Sequence, residues 1–211
     1  MSKKIVIGGM LLLLLCPVRA QEIKELFIQI PDSLSLLLTK VNREDFADFL
    51  ESNMKAQVKN RFDGTSEMKK LTSDYLFLQE TPQSTVEMKL LPVNDSLKVI
   101  CYVKTVCAPV CDSRVRFFST AWKELPASDY LLLPQEDEFY SVTDTTDTNK
   151  LEKLRAKADM YLLNASLSAD NRSLTFTYTT PEYLNEEEST ELSPFLRKDP
   201  IVLEWKNGRY E

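Results

Sequence analysis

The chain has 211 residues, a formal net charge of −6 and no histidine. An acidic chain without a basic stripe is a poor match for nucleic acid or anionic membrane surfaces, and the missing histidine removes the usual general base, the commonest metal ligand and the usual pH switch. Two of the four glycines are Gly8 and Gly9, so only Gly64 and Gly208 remain for the body of the chain and no glycine-rich phosphate loop can be built.

The N-terminus reads as a cleavable secretory signal. Lys3 and Lys4 precede the apolar run Ile5 to Leu15, and Val18-Arg19-Ala20 supplies the small residues of a cleavage site. Processing is expected between Ala20 and Gln21. Cys16 follows Leu15 and precedes Pro17, a poor lipobox, and belongs to the discarded leader. No long apolar run follows, so the processed chain is not expected to be an integral membrane protein.

Beyond the leader, residues 21–133 read as helices followed by antiparallel hairpins. Asp32 is placed to cap a helix over Ser33 to Thr39, and Asn42 a second, with Asp45 three residues on. Phe46, Phe49, Leu50 and Met54 then share one helical face. From about residue 66 the period becomes two. Tyr75 to Thr81 and Ser84 to Leu91 form strands around Pro82-Gln83, with Val86, Met88 and Leu90 on one side and Glu87 and Lys89 on the other. Leu97 to Val106 and Ser113 to Thr120 form the next hairpin.

Residues 134–149 are an acidic, threonine-rich connection, the best place for a mobile loop or a boundary between lobes. Its carboxylates, including Glu136, Asp137, Glu138, Asp144 and Asp147, lack the spacing and glycine of a calcium loop and read as a solvated segment. Residues 150–211 follow, packed on the first region as one unit. They hold a helix over Lys150 to Ala158, a hairpin of Asp159 to Ser168 with Ser173 to Thr179, and a helix over Asn185 to Arg197 with acidic residues in its first turn. A closing hairpin turns at Asn207-Gly208 and sets Trp205 across from Tyr210. The fold class expected is α+β, with antiparallel meanders and a few packed helices, arranged either on one sheet or as two weakly related halves.

The sharpest local feature is Cys107-Ala108-Pro109-Val110-Cys111. A turn at Ala108-Pro109-Val110 pairs Cys107 with Cys111, Thr105 with Ser113, Val103 with Val115 and Cys101 with Phe117. That register puts Val99, Cys101, Val103, Val115 and Phe117 on one face, expected to be the buried one, and Lys98, Lys104, Asp112, Arg114 and Arg116 on the other. Facing residues lie about 4.5–5.5 Å apart, within reach of a disulfide. Cys101 is roughly 20 Å along the strand from the tip and reads as a buried free thiol. A thioredoxin-like centre wants two intervening residues and a helix N-terminus, and a zinc site wants four ligands. A structural staple fits best, ahead of a regulatory disulfide and a metal clip.

The segments "STVEMKLLP", "SLKVICYVKTVCAPVCDSRVRFFSTAWKEL", "TPEYL" and "EWKNGRYE" resemble an uncharacterised family of secreted Bacteroidales proteins known only as a domain of unknown function. The resemblance covers nearly all of the chain after the leader. It implies an extracytoplasmic protein of a Gram-negative anaerobe, and it supplies no catalytic residues. Asp32-Ser33-Leu34, Asp95-Ser96-Leu97 and Asp144-Thr145-Thr146 resemble the O-glycosylation acceptor pattern of exported proteins in that bacterial group, which makes Ser33, Ser96 and Thr145 candidate sites; Asp-Ser and Asp-Thr are also ordinary turn dipeptides.

Functionally, the sequence points to an exported envelope protein in the periplasm or at the cell surface, a non-enzymatic binding or assembly module with no cofactor and an envelope protein or glycan as partner. The alternatives are an extracytoplasmic enzyme working on glycans through carboxylates and a thiol-redox accessory protein built on Cys107 and Cys111.

Overall fold

A computed structural model describes residues 23–52, 54–143 and 147–211. Seven strands lie side by side in chain order: β1 (Gln57–Lys59), β2 (Thr65–Leu71), β3 (Tyr75–Thr81), β4 (Ser84–Pro92), β5 (Lys98–Cys107), β6 (Cys111–Ser119) and β7 (Glu124–Leu125). A second antiparallel sheet holds β8 (Leu163–Leu167), β9 (Ser173–Tyr178), β10 (Ile201–Lys206) and β11 (Arg209–Tyr210), in the order β11-β10-β9-β8. Helices α1 (Ile23–Ile28) and α2 (Lys40–Glu51) pack on the first sheet; α3 (Thr148–Arg155) and α4 (Glu186–Leu192) lie against each other in the C-terminal region. The class is α+β, as expected.

The register of β5 and β6 is the one the charge pattern dictates, with Cys107 opposite Cys111, Thr105 opposite Ser113, Val103 opposite Val115 and Cys101 opposite Phe117. One correction concerns the faces. Val99, Cys101, Val103 and Phe117 are buried, but so are Ile100, Tyr102 and Phe118 on the other side. The sheet is covered twice. On one side α1, α2 and the intervening loop bury Leu76, Leu78, Val86, Met88, Leu90, Ile100, Tyr102 and Phe118. On the other, the four-stranded sheet packs Leu174, Phe176, Ile201, Trp205 and Tyr210 against Tyr75, Leu91, Val99, Cys101, Val103 and Phe117. Alternation in sequence says which residues share a face; it does not say how many faces are covered.

Glu87 and Lys89, expected on an open face, are therefore enclosed between the sheets, 8% and 2% exposed. Each is partnered, as a buried charge must be. Lys89 Nζ lies 3.0 Å from Asp74 Oδ2, donates to the Ala169 carbonyl at 3.3 Å and sits over the Tyr75 ring. Glu87 Oε2 accepts from the Tyr75 hydroxyl (3.1 Å) and from the Leu167 amide (2.8 Å). Burial pushes the Glu87 carboxyl above the ordinary carboxylate range, while those two hydrogen bonds and one from Ser166 hold it down.

These contacts belong to a series. β8 is an edge strand, with unpaired amides on its outer side. Leu163 N donates to Asp112 Oδ1 (3.2 Å), Ala165 N to Ser113 Oγ (2.9 Å) and Leu167 N to Glu87 Oε2 (2.8 Å). Side chains of the first sheet thus satisfy every second amide of this edge. The edge is closed against further strand pairing and the two sheets are fixed in relative position.

The C-terminal hairpin turns at Asn207 (φ 50°) and Gly208 (φ 81°), setting Trp205 opposite Tyr210 as expected. At Gly208 a Cβ would also stand 3.1 Å from Val93 Cγ1, so glycine is needed there for its φ and for space. Trp205 Nε1 donates to the Pro92 carbonyl at 2.7 Å, tying this hairpin to β4.

The N-terminal helices differ from expectation. Residues 33–39 form turns, not a helix. The buried Arg43 guanidinium donates to the carbonyls of Ile28, Ile30 and Leu38, and Asp32 pairs with Arg43 and Arg61 instead of capping. The N-cap of α2 is Thr39, not Asn42. Thr39 Oγ1 accepts from Asn42 N and Asn42 Oδ1 accepts from Thr39 N, a reciprocal capping box one turn earlier than the sequence indicated. Met54 lies beyond the helix and is exposed. α4 ends at Leu192 and tightens into a 3-10 turn at Ser193–Phe195, where Pro194 cannot continue the helical bonding. Helix α1 and strands β1 and β7 had no distinct signal, and β2 showed only as the onset of a period of two near residue 66.

Candidate functional site

The helical layer covers only part of its face of the first sheet. Toward the β5–β6 tip the floor is left to Lys104, Val106, Asp112, Arg114 and Arg116, and two adjoining concavities of about 340 Å³ and 630 Å³ share Leu36, Lys104 and Val106 as lining. Together they form one groove running across strands β6, β5, β4 and β3. One wall is the loop carrying Ser33, Leu34, Leu36 and Leu37; the other end is closed by Arg61 and Phe62.

Local chemistry explains each wall. The Leu36 loop is held out of helix by the Arg43 contacts and is tied to the next loop by Arg61 N donating to the Leu37 carbonyl at 2.9 Å. Asn60 Oδ1 accepts from the amides of Phe62 and Gly64, which folds the chain back on itself and presents Phe62 at the bend. Leu36 and Phe62 are 64% and 75% exposed, and Val106 is 46% exposed on the floor beside them. Three large apolar side chains open to solvent in one depression, rimmed by charge, are what interaction sites look like.

The charges on the floor are mostly paired. Lys104 Nζ lies 2.8 Å from the buried Glu80 Oε2. Arg116 makes a two-pronged pair with Glu124 at 2.8 and 2.6 Å while stacking on Phe118. That pairing raises the Arg116 pKa and lowers that of Glu124. Arg61 reaches Asp32 at 3.3 Å. Arg114 is exposed and makes no ion pair among the described residues. Of the two lining carboxylates, the buried Glu80 pairs with Lys104, and the exposed Asp112 accepts from β8 through Oδ1.

The residues singled out from sequence fall in different places. Cys107 and Cys111 are joined by a disulfide, Cα atoms 3.9 Å apart, across a turn containing a cis Ala108–Pro109 peptide. Their neighbours Val106 and Asp112 line the groove. The tip is anchored by Cys107 N donating to the Gln83 carbonyl and Thr179 Oγ1 donating to the Cys111 carbonyl. Cys101 is buried and in no disulfide; burial pushes its thiol pKa up. Ser33 is exposed on the groove wall, and Ser96 is exposed in the β4–β5 turn. Ala20, Gln21 and Thr145 lie outside the described residues.

The acidic connection is partly built in. Residues Glu136–Phe139 form a 3-10 turn with Phe139 buried. Glu136 Oε1 accepts from the hydroxyls of Tyr140 and Tyr178, Asp137 pairs with Arg155 at 2.7 Å, and Glu138 caps the Gln135 amide. Asp147 caps α3. Glu136, Asp137, Glu138 and Asp147 are thus engaged locally, Asp144 lies outside the described residues, and no group of three or more metal-ligating side chains forms among the described ones.

The groove residues had no motif. Leu36 and Phe62 lie in separate loops, and only the charged side of β5 and β6 was visible in sequence as a face of its own.

Comparison with known proteins locates the chain without assigning it an activity. A family model described as a protein of unknown function (DUF3256) matches residues 15–210. The solved structure of a domain of an uncharacterized protein from Porphyromonas gingivalis W83 is similar, with a TM-score of 0.79 and 28% sequence identity, covering 91% of this chain and 99% of that one. No curated protein matches.

Proposed function

The chain belongs to the DUF3256 family of proteins of unknown function, and from its geometry we propose that it is an exported, non-enzymatic binding module of the cell envelope that holds a partner in the groove beside the β5–β6 tip. The observation that carries this reading is the uncovered half of an otherwise enclosed sheet, with Leu36, Phe62 and Val106 open to solvent inside a concave surface. Apolar side chains left in water at a concave site are most simply explained by a partner that covers them.

Export rests on the leader, with processing between Ala20 and Gln21, and the two regions 21–133 and 150–211 act as one unit. Ser33, Ser96 and Thr145 are candidate glycan acceptors in the native host. The carboxylate-enzyme reading is less well supported, because Glu80 is buried on Lys104 and Glu87 is enclosed between the sheets, which leaves Asp112 without a second open carboxylate lining the groove.

The test is site-specific photocrosslinking in the native envelope. A benzoylphenylalanine at Phe62 should give a discrete adduct, absent when the probe replaces the exposed Val41 outside the groove, and lost on adding Leu36→Asp. Identical adduct patterns at the two positions would end the groove reading. Intact mass of the exported protein starting at Gln21 checks processing.

A further inference from the structure

We propose that the concavity holding Asp112 and Arg114 binds a small zwitterion with an aliphatic side chain, an apolar α-amino acid or a dipeptide built from one. This rests on the groove reading above, for the openness of the surface, and adds the chemistry of what it takes.

The free charges at this place are one of each sign. Asp112 and Arg114 are two residues apart in β6, so both point to the same side of the sheet, and both are exposed in the lining of the concavity of about 340 Å³. Lys104 and Arg116, in the same lining, already have Glu80 and Glu124. Glu124 feels the Arg114 charge, but both its oxygens are held by Arg116. Arg114 makes no ion pair among the described residues, Asp112 included. Asp112 gives Oδ1 to the Leu163 amide and keeps Oδ2 free. A simple anion brought to Arg114 would meet the Asp112 charge, and a simple cation brought to Asp112 would meet Arg114. A ligand bearing one charge of each sign is attracted by both. The guanidinium fork matches the two oxygens of a carboxylate, and the open oxygen of Asp112 accepts from an ammonium.

The surroundings set the rest of the ligand. Val106 stands opposite Asp112 across the β5–β6 ladder, and Leu34 and Leu36 come from the loop wall of the same concavity. Val106 and Leu36 are open to solvent, so an aliphatic side chain seated against them removes apolar surface from water on both partners. Tyr102, the aromatic residue of this lining, is buried and shows no ring face for a sugar to stack on. Residues two apart in a strand are separated by about 6.8 Å, and so are the ends of two extended residues. A dipeptide spans Asp112 and Arg114 with its termini; a single amino acid needs the long Arg114 side chain to bend toward Asp112.

The experiment is isothermal titration calorimetry of the processed full chain with L-leucine and L-leucyl-L-leucine. At least one should bind saturably, tenfold or more tighter than isocaproate, which lacks the ammonium, isopentylamine, which lacks the carboxylate, and glycylglycine, which lacks the side chain. The tighter of the two reads the charge separation that the site prefers. Asp112→Asn keeps an acceptor for the Leu163 amide and should weaken the zwitterion at least tenfold, with isocaproate bound no more weakly than before. Arg114→Gln should weaken the zwitterion as much, with isopentylamine bound no more weakly. Melting curves separate loss of binding from loss of fold, and the ligand series on the unsubstituted chain decides the matter should a variant unfold. Absence of binding by both zwitterions at about 1 mM overturns the proposal. So does isocaproate, isopentylamine or glycylglycine binding as tightly as they do, or zwitterion binding indifferent to both substitutions in folded variants. If Phe62 crosslinks a native partner while both zwitterions fail, the groove reading stands and this ligand falls. If a zwitterion binds and Phe62 gives no adduct, the ligand stands and the groove holds no macromolecule.

Discussion

The two faces of the seven-stranded sheet are covered by different means, and they differ in what they leave unsatisfied. The face under the four-stranded sheet is closed along β4, β5 and β6, and the charges enclosed there are partnered, Lys89 by Asp74 and Ala169 and Glu87 by Tyr75 and Leu167, while Thr105 bonds Ser113 and the Tyr210 hydroxyl is enclosed without a hydrogen-bond partner among the described residues. The face under α1 and α2 is closed only at its base, where Trp122 Nε1 donates to the Leu26 carbonyl and fixes α1 in place. Its tip half stays open, with Leu36, Phe62 and Val106 in water and Arg114 exposed with no ion pair among the described residues. The closed face binds its charges internally; the open half of the other leaves apolar side chains to be covered from outside the chain.

Mutations on the closed face should cost stability, and the largest effect is expected from Phe117→Ala. Phe117 is fully buried and stacks with Tyr130 and Trp205. Truncation should cost about 3–5 kcal/mol, measured by denaturant unfolding; a cost below 1 kcal/mol would mean the two sheets do not depend on this stack. Next comes Asp74→Ala, which strands the enclosed Lys89 ammonium and should cost about 2–3 kcal/mol. Glu124→Ala, on the groove rim, should be nearly silent. Equal effects from the two would erase the distinction between the faces.

Replacing both Cys107 and Cys111 by serine should cost roughly 2 kcal/mol, because the loop closed is so short that little entropy is removed from the unfolded chain. The tip keeps its hydrogen bonds to Gln83 and Thr179, so partner capture by the groove should persist. Binding that instead tracked the redox state of the pair would turn the staple into a switch.

The smallest effect at neutral pH, and the most diagnostic, is that of Glu87→Gln. The folded-state pKa of Glu87 is raised by burial. Between the unfolded value, about 4.3, and the raised folded value, the native state binds more protons than the unfolded state. Its contribution to stability is therefore greatest below that window and declines as pH rises through it. Glutamine offers one oxygen to both Tyr75 and Leu167 and carries no charge to desolvate. The variant should be no less stable than wild type at pH 7 and should lose this decline. A variant that melts lower at pH 7 and keeps the same pH profile would place the charge of Glu87 among the stabilising features.

Much of the sheet was legible in sequence. The β5–β6 register could be read because one pairing put every charged residue of both strands on a single side, and Asn207-Gly208 announced its own turn. The site was less so. Lys104, Arg114 and Arg116 were visible as a charged face, but nothing in their spacing said that Leu36 and Phe62, from loops that precede β2, would stand over that face. Asp32 and Asn42 were misleading for a similar reason: each is a sound capping residue, and Arg43 and Thr39 outcompeted them through contacts that local spacing does not encode.

The sequence by itself determined the class, the hairpin registers, the staple at Cys107 and Cys111 and the isolation of Cys101, because these follow from a period of two and from turn chemistry within a few residues. Only the tertiary structure decided which faces were covered. Glu87 and Lys89 are enclosed because β8 and the turn after it, some eighty residues further on, present the Leu167 amide and the Ala169 carbonyl to them. The groove exists because the helical layer ends before the strands do. Burial is a property of what packs against a segment, and packing partners distant in the chain leave no mark on the pattern of the segment they cover.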